Sequence, residues 1–240
     1  MQPKVIIIGA TSGIGRHLAE IYAQEGWLVG ATGRREALLQ TLQAAYPDHI
    51  LTQTMDVTQD TALENLQQLI QQMGGMDLLI YNSGFGDVTQ QLDWDTDNQT
   101  TLTNVNGFLR LVNYAFNFFI AKAQPGHIAA TSSIASIRGN SFAPAYSASK
   151  AYMSTYMEGL HMRAKKQRLP IAITDIQPGF VATKMAKGNK QFWVAPPAKA
   201  ARQIVAALQK RRFRVYITRR WWLIAQVMKW VPGWVYHRVG

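Results

Sequence analysis

The 240-residue chain has no cysteine, and its last quarter has no acidic residue. The absence of cysteine excludes disulfides, thiolate metal ligands and a cysteine nucleophile. The chain also lacks a charged and apolar leader, because its first residues run directly into a strand-like segment, Lys4–Ile8. We therefore expect no signal peptide and a cytoplasmic location.

The charge is unevenly distributed. Residues 1–175 contain 12 Lys/Arg and 14 Asp/Glu, whereas residues 176–240 contain 13 Lys/Arg and no acid. A uniformly basic chain would suggest nucleic acid, but no recognition motif is present, so we expect no nucleic-acid partner. A basic tail on a near-neutral body indicates a local anionic partner: a phosphorylated cofactor, a membrane surface or a subunit edge.

Apolar segments of strand length alternate with segments of helical periodicity, which predicts a single α/β domain with a doubly wound parallel sheet and helices on both faces. We expect residues 1–197 to form the main body, with a flexible segment from Gly179 to Pro197. Residues 198–240 would add a helix, an edge strand and a Trp/Arg-rich tail. The predicted strands are 4–8, 27–32, 50–55, 76–81, 127–131, 171–176 and 214–218; the predicted helices are 14–24, 36–45, 60–73, 98–121, 146–168 and 198–209.

A glycine loop follows the first strand. Gly9, Gly13 and Gly15 lie between that strand and a helix, an arrangement that brings backbone close to a pyrophosphate at the helix N-terminus. Arg34 lies nineteen residues after Gly15, and no acid precedes Glu36. An arginine there accommodates a 2′-phosphate, which favours NADP(H) over NAD(H).

The position of these arginines in the sequence leaves alternative roles for them. Arg34 or its neighbour Arg35 could instead be a solvated loop charge, and Arg16 could assist from the first helical turn.

Acid/base chemistry is indicated by Tyr146 and Lys150, with Ser133 thirteen residues before the tyrosine. A tyrosine is a poor base at neutral pH because its ordinary pKa is about 10. A lysine four residues on lies on the same helical face and can lower that pKa.

Together these motifs resemble the short-chain dehydrogenase/reductase family, classical type, over about residues 5–185, although Ile8 replaces the threonine usual before the first glycine. The resemblance implies a Rossmann-type fold in which residues 1–197 bind the dinucleotide and carry out catalysis, with a substrate lid at about 180–197. It also implies a catalytic tetrad of Asn104, Ser133, Tyr146 and Lys150. Asn106 is the alternative to Asn104, and Ser132 a less favoured substitute for Ser133. No metal is expected. The implied cofactor contacts are Gly9, Thr11, Ser12, Gly13, Ile14, Gly15, Arg34, Asp56, Val57, Asn82, Gly84, Tyr146, Lys150, Pro178, Gly179, Val181 and Thr183.

The resemblance implies an oxidoreductase that interconverts a carbonyl and a secondary alcohol by hydride transfer, with Tyr146 as acid/base. Two alternatives are a catalytically silent NADP-binding regulator and a peripheral membrane member acting on a lipid-like substrate. Segments 85–94, 138–145 and 180–193 are expected to border the pocket. Their aromatics favour an apolar or aromatic substrate, unless they pack into the core or a subunit interface: Phe85, Trp94, Phe142, Phe180, Phe192 and Trp193. Lys184, Lys187 and Lys190 could attract an anionic substrate or be solvated.

The tail from residue 219 contains four of the seven tryptophans: Trp221, Trp222, Trp230 and Trp234. Its apolar run is too short and interrupted to span a bilayer, which needs about 20 apolar residues. It is suited to a subunit contact, for which we expect a dimer or tetramer, or to a membrane surface contacted through residues 219–240.

Overall fold

The computed structural model describes residues 2–88, 91–183 and 192–238. Within them the strands are β1 Lys4–Ile8, β2 Leu28–Gly33, β3 Ile50–Thr54, β4 Leu78–Tyr81, β5 Gly126–Thr131, β6 Ile171–Pro178 and β7 Arg214–Ile217. The α-helices are α1 Gly13–Gln24, α2 Glu36–Ala45, α3 Ala62–Met73, α4 Trp94–Thr101, α5 Phe108–Ala121, α6 Pro144–Lys166, α7 Pro197–Gln209, α8 Trp221–Trp230 and α9 Gly233–Tyr236. A π-helix, Leu102–Gly107, joins α4 to α5, and a 3₁₀ turn, Ile134–Ser136, precedes α6.

The seven strands form one parallel sheet in the order β3-β2-β1-β4-β5-β6-β7. This confirms the predicted doubly wound α/β fold. The strand order reverses between β1 and β4, and ligands of such sheets bind in the crevice at the carboxyl ends of the strands beside this reversal.

Both faces of the sheet are covered. In keeping with this, β1 is apolar and buried at every position from Val5 to Ile8. Val5 and Ile7 belong to the core on one face, with α1 and α7, whereas Ile6 and Ile8 belong to the core on the other, with α3, α5 and α6. Continuous apolar strands of this kind are typical of sheets buried on both sides. The two cores fix the strand ends that carry the site.

The predicted helix 98–121 differs most from the structure. It begins earlier, at Trp94, because the Asp93 carboxylate caps it by accepting a hydrogen bond from the Thr96 amide (2.9 Å). The π-helix then interrupts it. The buried Tyr81 hydroxyl donates a hydrogen bond to the Thr103 carbonyl (2.6 Å). The Thr103 carbonyl therefore has a hydrogen-bond partner on β4, outside the helix.

Smaller differences lie at other boundaries. Trp27 precedes β2 rather than starting it, and β6 continues to Pro178. Of the segment predicted to be flexible, residues 184–191 lie outside the described part of the chain, whereas Val181 and Ala195 form a parallel bridge. The tail forms the two helices α8 and α9.

Removing the Tyr81 hydroxyl should loosen the π-helix. Tyr81→Phe leaves the buried Thr103 carbonyl without this donor, which should cost about 1–3 kcal/mol in the free energy of unfolding. Urea unfolding measures the loss. Tyr114→Phe is the control, since within the described part of the chain the Tyr114 ring packs against Phe118 and the core while its hydroxyl forms no hydrogen bond; equal losses in both variants would contradict the assigned hydrogen bond.

Candidate active site

The glycine loop is shaped by close approaches of the backbone. Gly9 has φ +92°, and a Cβ on it would lie 2.8 Å from the Ser83 amide nitrogen; a Cβ on Gly15 would lie 2.0 Å from the Gly9 carbonyl oxygen. A side chain at Gly9 would collide with the segment after β4, and a side chain at Gly15 would push the start of α1 away from the end of β1. The Asn82 amide further secures the loop by donating to the Gly9 carbonyl (3.2 Å).

The N-terminus of α1 opens toward the cavity described below. Its N-cap residue, Ser12, forms no side-chain cap bond, and no acid lies in the first turn. Unpaired amides at a helix N-terminus favour an anionic group, and the loop therefore fits a pyrophosphate.

Arg35 contacts this loop directly, which sequence reasoning missed. Its guanidinium donates to the Thr11 hydroxyl (Nε 3.2 Å) and to the Ser12 hydroxyl (Nη2 2.7 Å). Arg34 also lines the cavity, but Arg16 pairs with Glu20 at 3.0 Å instead. The hydroxyls at Thr11 and Ser12 were the available signal, because they offer acceptors to whichever arginine follows β2.

Ser133, Tyr146 and Lys150 converge at the carboxyl end of β5. Ser133 caps the 3₁₀ turn, accepting from the Ala135 amide (3.1 Å), and forms a hydrogen bond with Tyr146. Lys150 Nζ donates to the Thr131 carbonyl (2.9 Å) and lies 5.7 Å from the centre of the Tyr146 ring. A hydroxyl, a phenol and an amine thus share one short stretch of the pocket.

The acid/base pair differs from the sequence expectation in its titration. Burial raises the pKa of Tyr146 above its usual value, and the hydrogen bond with Ser133 opposes this only in part. Burial also lowers the pKa of Lys150 to about 7, against the attraction of Asp175. In this structure the desolvation of both groups therefore outweighs the expected tuning of Tyr146 by the ammonium.

Asn104 lies behind the cavity, fully buried in the π-helix. Its Nδ2 donates to the Phe85 carbonyl (2.7 Å) and to the Ser149 hydroxyl (2.9 Å), and its Oδ1 accepts from the Phe85 amide (2.9 Å). It therefore joins the segment after β4 to the helix that carries Tyr146 and Lys150. Asn106, the alternative, is exposed.

A buried carboxylate lies beneath the site. Asp175, with no exposed surface, accepts from the Ser154 hydroxyl (2.6 Å), Gln177 Nε2 (2.7 Å) and Arg214 Nε (3.2 Å), and from the Ser132 hydroxyl in a short hydrogen bond. Ser132 is thus engaged by the core, which favours Ser133 as the hydroxyl for chemistry.

One cavity of about 730 Å³ connects these groups, from the arginines after β2 to Tyr146. Of the residues assigned from sequence, only Gly15 and Asn104 do not line it. The lining residues among those assigned are Gly9, Thr11, Ser12, Gly13, Ile14, Arg34, Asp56, Val57, Asn82, Gly84, Ser133, Tyr146, Lys150, Pro178, Gly179, Val181 and Thr183.

Part of the apolar wall of the cavity comes from the tail, which we define as residues 219–238. Of the six aromatics expected at the pocket, Phe180 and Phe192 line it; Phe85, Trp94, Phe142 and Trp193 do not. Lys184, Lys187 and Lys190 lie outside the described residues. The tail contributes lining residues that sequence reasoning missed: Trp221, Ile224, Met228 and Tyr236.

Specific contacts hold the tail against the body. Trp221 is 3% exposed and packs on Gly179, where a Cβ would lie 2.0 Å from the indole. Arg138 donates to the carbonyls of Met228 (3.0 Å) and Val231 (2.6 Å), at the C-terminal end of α8. The tail is therefore part of the same pocket as the predicted catalytic residues.

Membrane-spanning helices and clusters of metal ligands are both absent from the residues that the structure describes. No helix there combines the length and hydrophobicity needed to cross a membrane. Nor do three or more His, Asp or Glu side chains cluster there as metal ligands.

Comparison with known proteins gives one consistent result. The family model for short chain dehydrogenases matches residues 3–192. An uncharacterized oxidoreductase of Myxococcus xanthus is 35% identical over 190 residues, covering 77% of this chain and 74% of the relative.

Solved structures show the same fold at lower identity. A Burkholderia phymatum short-chain dehydrogenase/reductase in complex with NAD superposes with a TM-score of 0.83 at 20% identity, covering 94% of this chain and 92% of the other. ElxO with NADP bound superposes with a TM-score of 0.77 at 19% identity, covering 90% and 97%. Since one holds NAD and the other NADP, the likeness does not select a cofactor.

The lowered pKa of Lys150 predicts a pH-dependent stability. Between about pH 7 and pH 10.5 the unfolded chain holds a proton on this side chain that the folded chain has lost, so folding is favoured increasingly as pH rises. Lys150→Met removes the titrating amine and with it this dependence of stability on pH. The difference in unfolding free energy between wild type and Lys150→Met should grow in favour of wild type from pH 7 to pH 10, as measured by urea unfolding. The exposed-site control Lys165→Met should show a constant difference; a constant difference for Lys150→Met as well would contradict the burial argument.

Proposed function

Because the chain belongs to the short-chain dehydrogenase family of oxidoreductases, we propose that it interconverts a carbonyl and a secondary alcohol with NADP(H). One observation carries the proposal: a single cavity is lined by the glycine loop and the arginines after β2 at one end, and by Ser133 and Tyr146 at the other. A dinucleotide and a small substrate need such a combination of sites.

The residues fit the cofactor. Gly9 and Gly15 allow the backbone approach, and the uncapped start of α1 offers amides to a pyrophosphate. When bound, the nicotinamide supplies or accepts the hydride, which is the chemistry of the cofactor rather than of the protein.

The protein supplies proton transfer and orientation. Tyr146, held in its neutral form by burial, donates its phenolic proton to the oxygen of a carbonyl being reduced, and takes it back in the opposite direction. The Ser133 hydroxyl, hydrogen-bonded to Tyr146, orients that oxygen. Lys150, with a pKa of about 7, exchanges a proton near neutral pH and can return one to the Tyr146 phenolate.

The preference for NADP(H) rests on charge at the end of β2. Arg34 and Arg35 both line the cavity, and Arg35 is held over the loop by Thr11 and Ser12. Two cations suit a 2′-phosphate, whereas NAD recognition uses a carboxylate at the ribose hydroxyls.

The substrate is proposed to be an apolar or aromatic carbonyl compound. Phe180, Phe192, Trp221, Ile224 and Met228 form the wall beside the catalytic groups, and an apolar wall favours an apolar molecule. A catalytically silent regulator is disfavoured because the full set of Asn104, Ser133, Tyr146 and Lys150 is present. The homo-oligomer and the cytoplasmic location stay predictions.

Tyr146→Phe tests the acid/base assignment. With NADPH and a panel of apolar ketones, we expect turnover to fall at least about a hundredfold, because the proton donor is lost. Absorbance at the nicotinamide band measures it. Tyr152→Phe, six residues further along the same helix and exposed, should retain full turnover; full turnover by Tyr146→Phe would remove that residue from the mechanism.

Single arginine variants test the cofactor. Arg34→Ala and Arg35→Ala should each raise the Michaelis constant for NADPH by about tenfold or more while leaving that for NADH little changed, since each removes a cation that pairs with the 2′-phosphate. Arg16→Ala, whose side chain pairs with Glu20, should leave the ratio unchanged. An unchanged ratio in both Arg34→Ala and Arg35→Ala would refute the NADP(H) assignment.

A further inference from the structure

The longer tail helix, α8, is apolar on two opposite sides. Its inner side packs on the body through the buried Trp221 and Ala225, and Ile224 and Met228 line the cavity. Because successive helical residues turn by about 100°, the other side carries Trp222, Leu223, Val227 and Trp230. These four and Trp234 of α9 are between 51% and 83% exposed, and we call them the outer face.

Cations surround the outer face. Arg219, Arg220, Lys229 and Arg238 are all exposed, and none forms an ion pair within the part of the chain that the structure describes. Arg220 lies over the ring of Trp193 (5.0 Å) and Arg238 over the ring of Trp234 (5.8 Å). The sequence after residue 175 contains no Asp or Glu.

This combination distinguishes between two occupants. A second copy of the chain, related by a two-fold axis, would place the same patch against itself, and its unneutralised cations would then face one another. A lipid surface offers phosphates to the cations and an apolar layer to the indoles, which prefer the boundary between them. The charge of the patch therefore favours the lipid surface.

We propose that the outer face docks on a membrane surface rich in anionic lipid, with α8 and α9 lying in its plane. The inner side of α8 is a wall of the catalytic cavity, so docking brings that cavity to the lipid layer. If the proposed function holds, on which this last step rests, the substrate class is an amphiphile whose carbonyl reaches Tyr146 and whose chain lies along the tail.

Vesicle flotation of the full chain tests the docking without requiring turnover. With vesicles of phosphatidylcholine containing about a third phosphatidylglycerol, we expect co-flotation at about 0.15 M salt and a large decrease at about 1 M salt, where charge is screened. Vesicles of phosphatidylcholine alone should bind at least tenfold more weakly. No flotation with the anionic vesicles overturns the proposal.

Paired variants separate the outer face from general stickiness. Leu223→Asn/Trp230→Asn should reduce the partition coefficient at least tenfold, whereas Trp94→Asn, an equally exposed tryptophan on α4, should not change it. Arg219→Gln/Arg220→Gln should lose about fivefold for each cation removed, and the exposed pair Lys165→Gln/Lys166→Gln should lose none. Equal losses in the test and control variants would contradict the assigned surface.

Two further readouts complete the test. Thermal melting shows whether Leu223→Asn/Trp230→Asn has simply unfolded. If it has, the vesicle binding of Arg219→Gln/Arg220→Gln decides whether the outer face is the docking surface. Light scattering identifies the rival: if Leu223→Asn/Trp230→Asn dissociates a dimer and leaves flotation unchanged, the occupant is a second copy. A chain that reduces soluble ketones but does not float overturns the docking alone, whereas one that floats without turnover leaves the docking supported and the proposed function contradicted.

Discussion

The candidate site depends on one buried charge, the carboxylate of Asp175 at the centre of β6, which requires hydrogen-bond donors around it. A buried carboxylate without partners would be strongly destabilising, so its hydroxyl, amide and guanidinium donors are constrained to their positions. Those donors are Ser132 just after β5, Ser154 on α6, Gln177 on β6 itself and Arg214 on β7. Ser132 precedes Ser133, and Ser154 lies one turn beyond Lys150. The paired core charge thus aligns the two elements that carry the chemistry, while its field opposes the loss of the Lys150 proton.

The fold and most of the lining residues could be predicted from sequence because their signals are local. A strand buried on both faces must be apolar throughout, as β1 is, and a loop that bends back on itself needs glycine where a Cβ would collide, as at Gly9 and Gly15. The spacing of Tyr146 and Lys150 fixes a shared helical face before any tertiary contact is known. Each of these features follows from residues within a few positions of one another.

The remaining features depend on contacts between distant segments. The π-helix that contains Asn104 is associated with the Tyr81 hydroxyl, twenty-two residues before its acceptor Thr103, and nothing in residues 102–107 alone predicts it. The contact of Arg35 with the glycine loop depends on Thr11 and Ser12, more than twenty residues earlier, so the sequence around Arg35 alone does not predict it. Likewise, burial reversed the expected direction of the Tyr146 pKa, because desolvation depends on the whole surrounding core and not on the neighbouring lysine.

The wall built by the tail has a consequence for the order in which the protein acquires its parts. The glycine loop, the arginines, Tyr146 and Lys150 all precede residue 184, whereas Trp221, Ile224, Met228 and Tyr236 come after β7 and are synthesised later. A growing chain can therefore complete its nucleotide crevice while the ribosome still holds the residues that close the substrate side. Premature termination after β7 would yield a protein that retains the residues predicted to bind the dinucleotide and lacks the part of the apolar wall that the tail contributes.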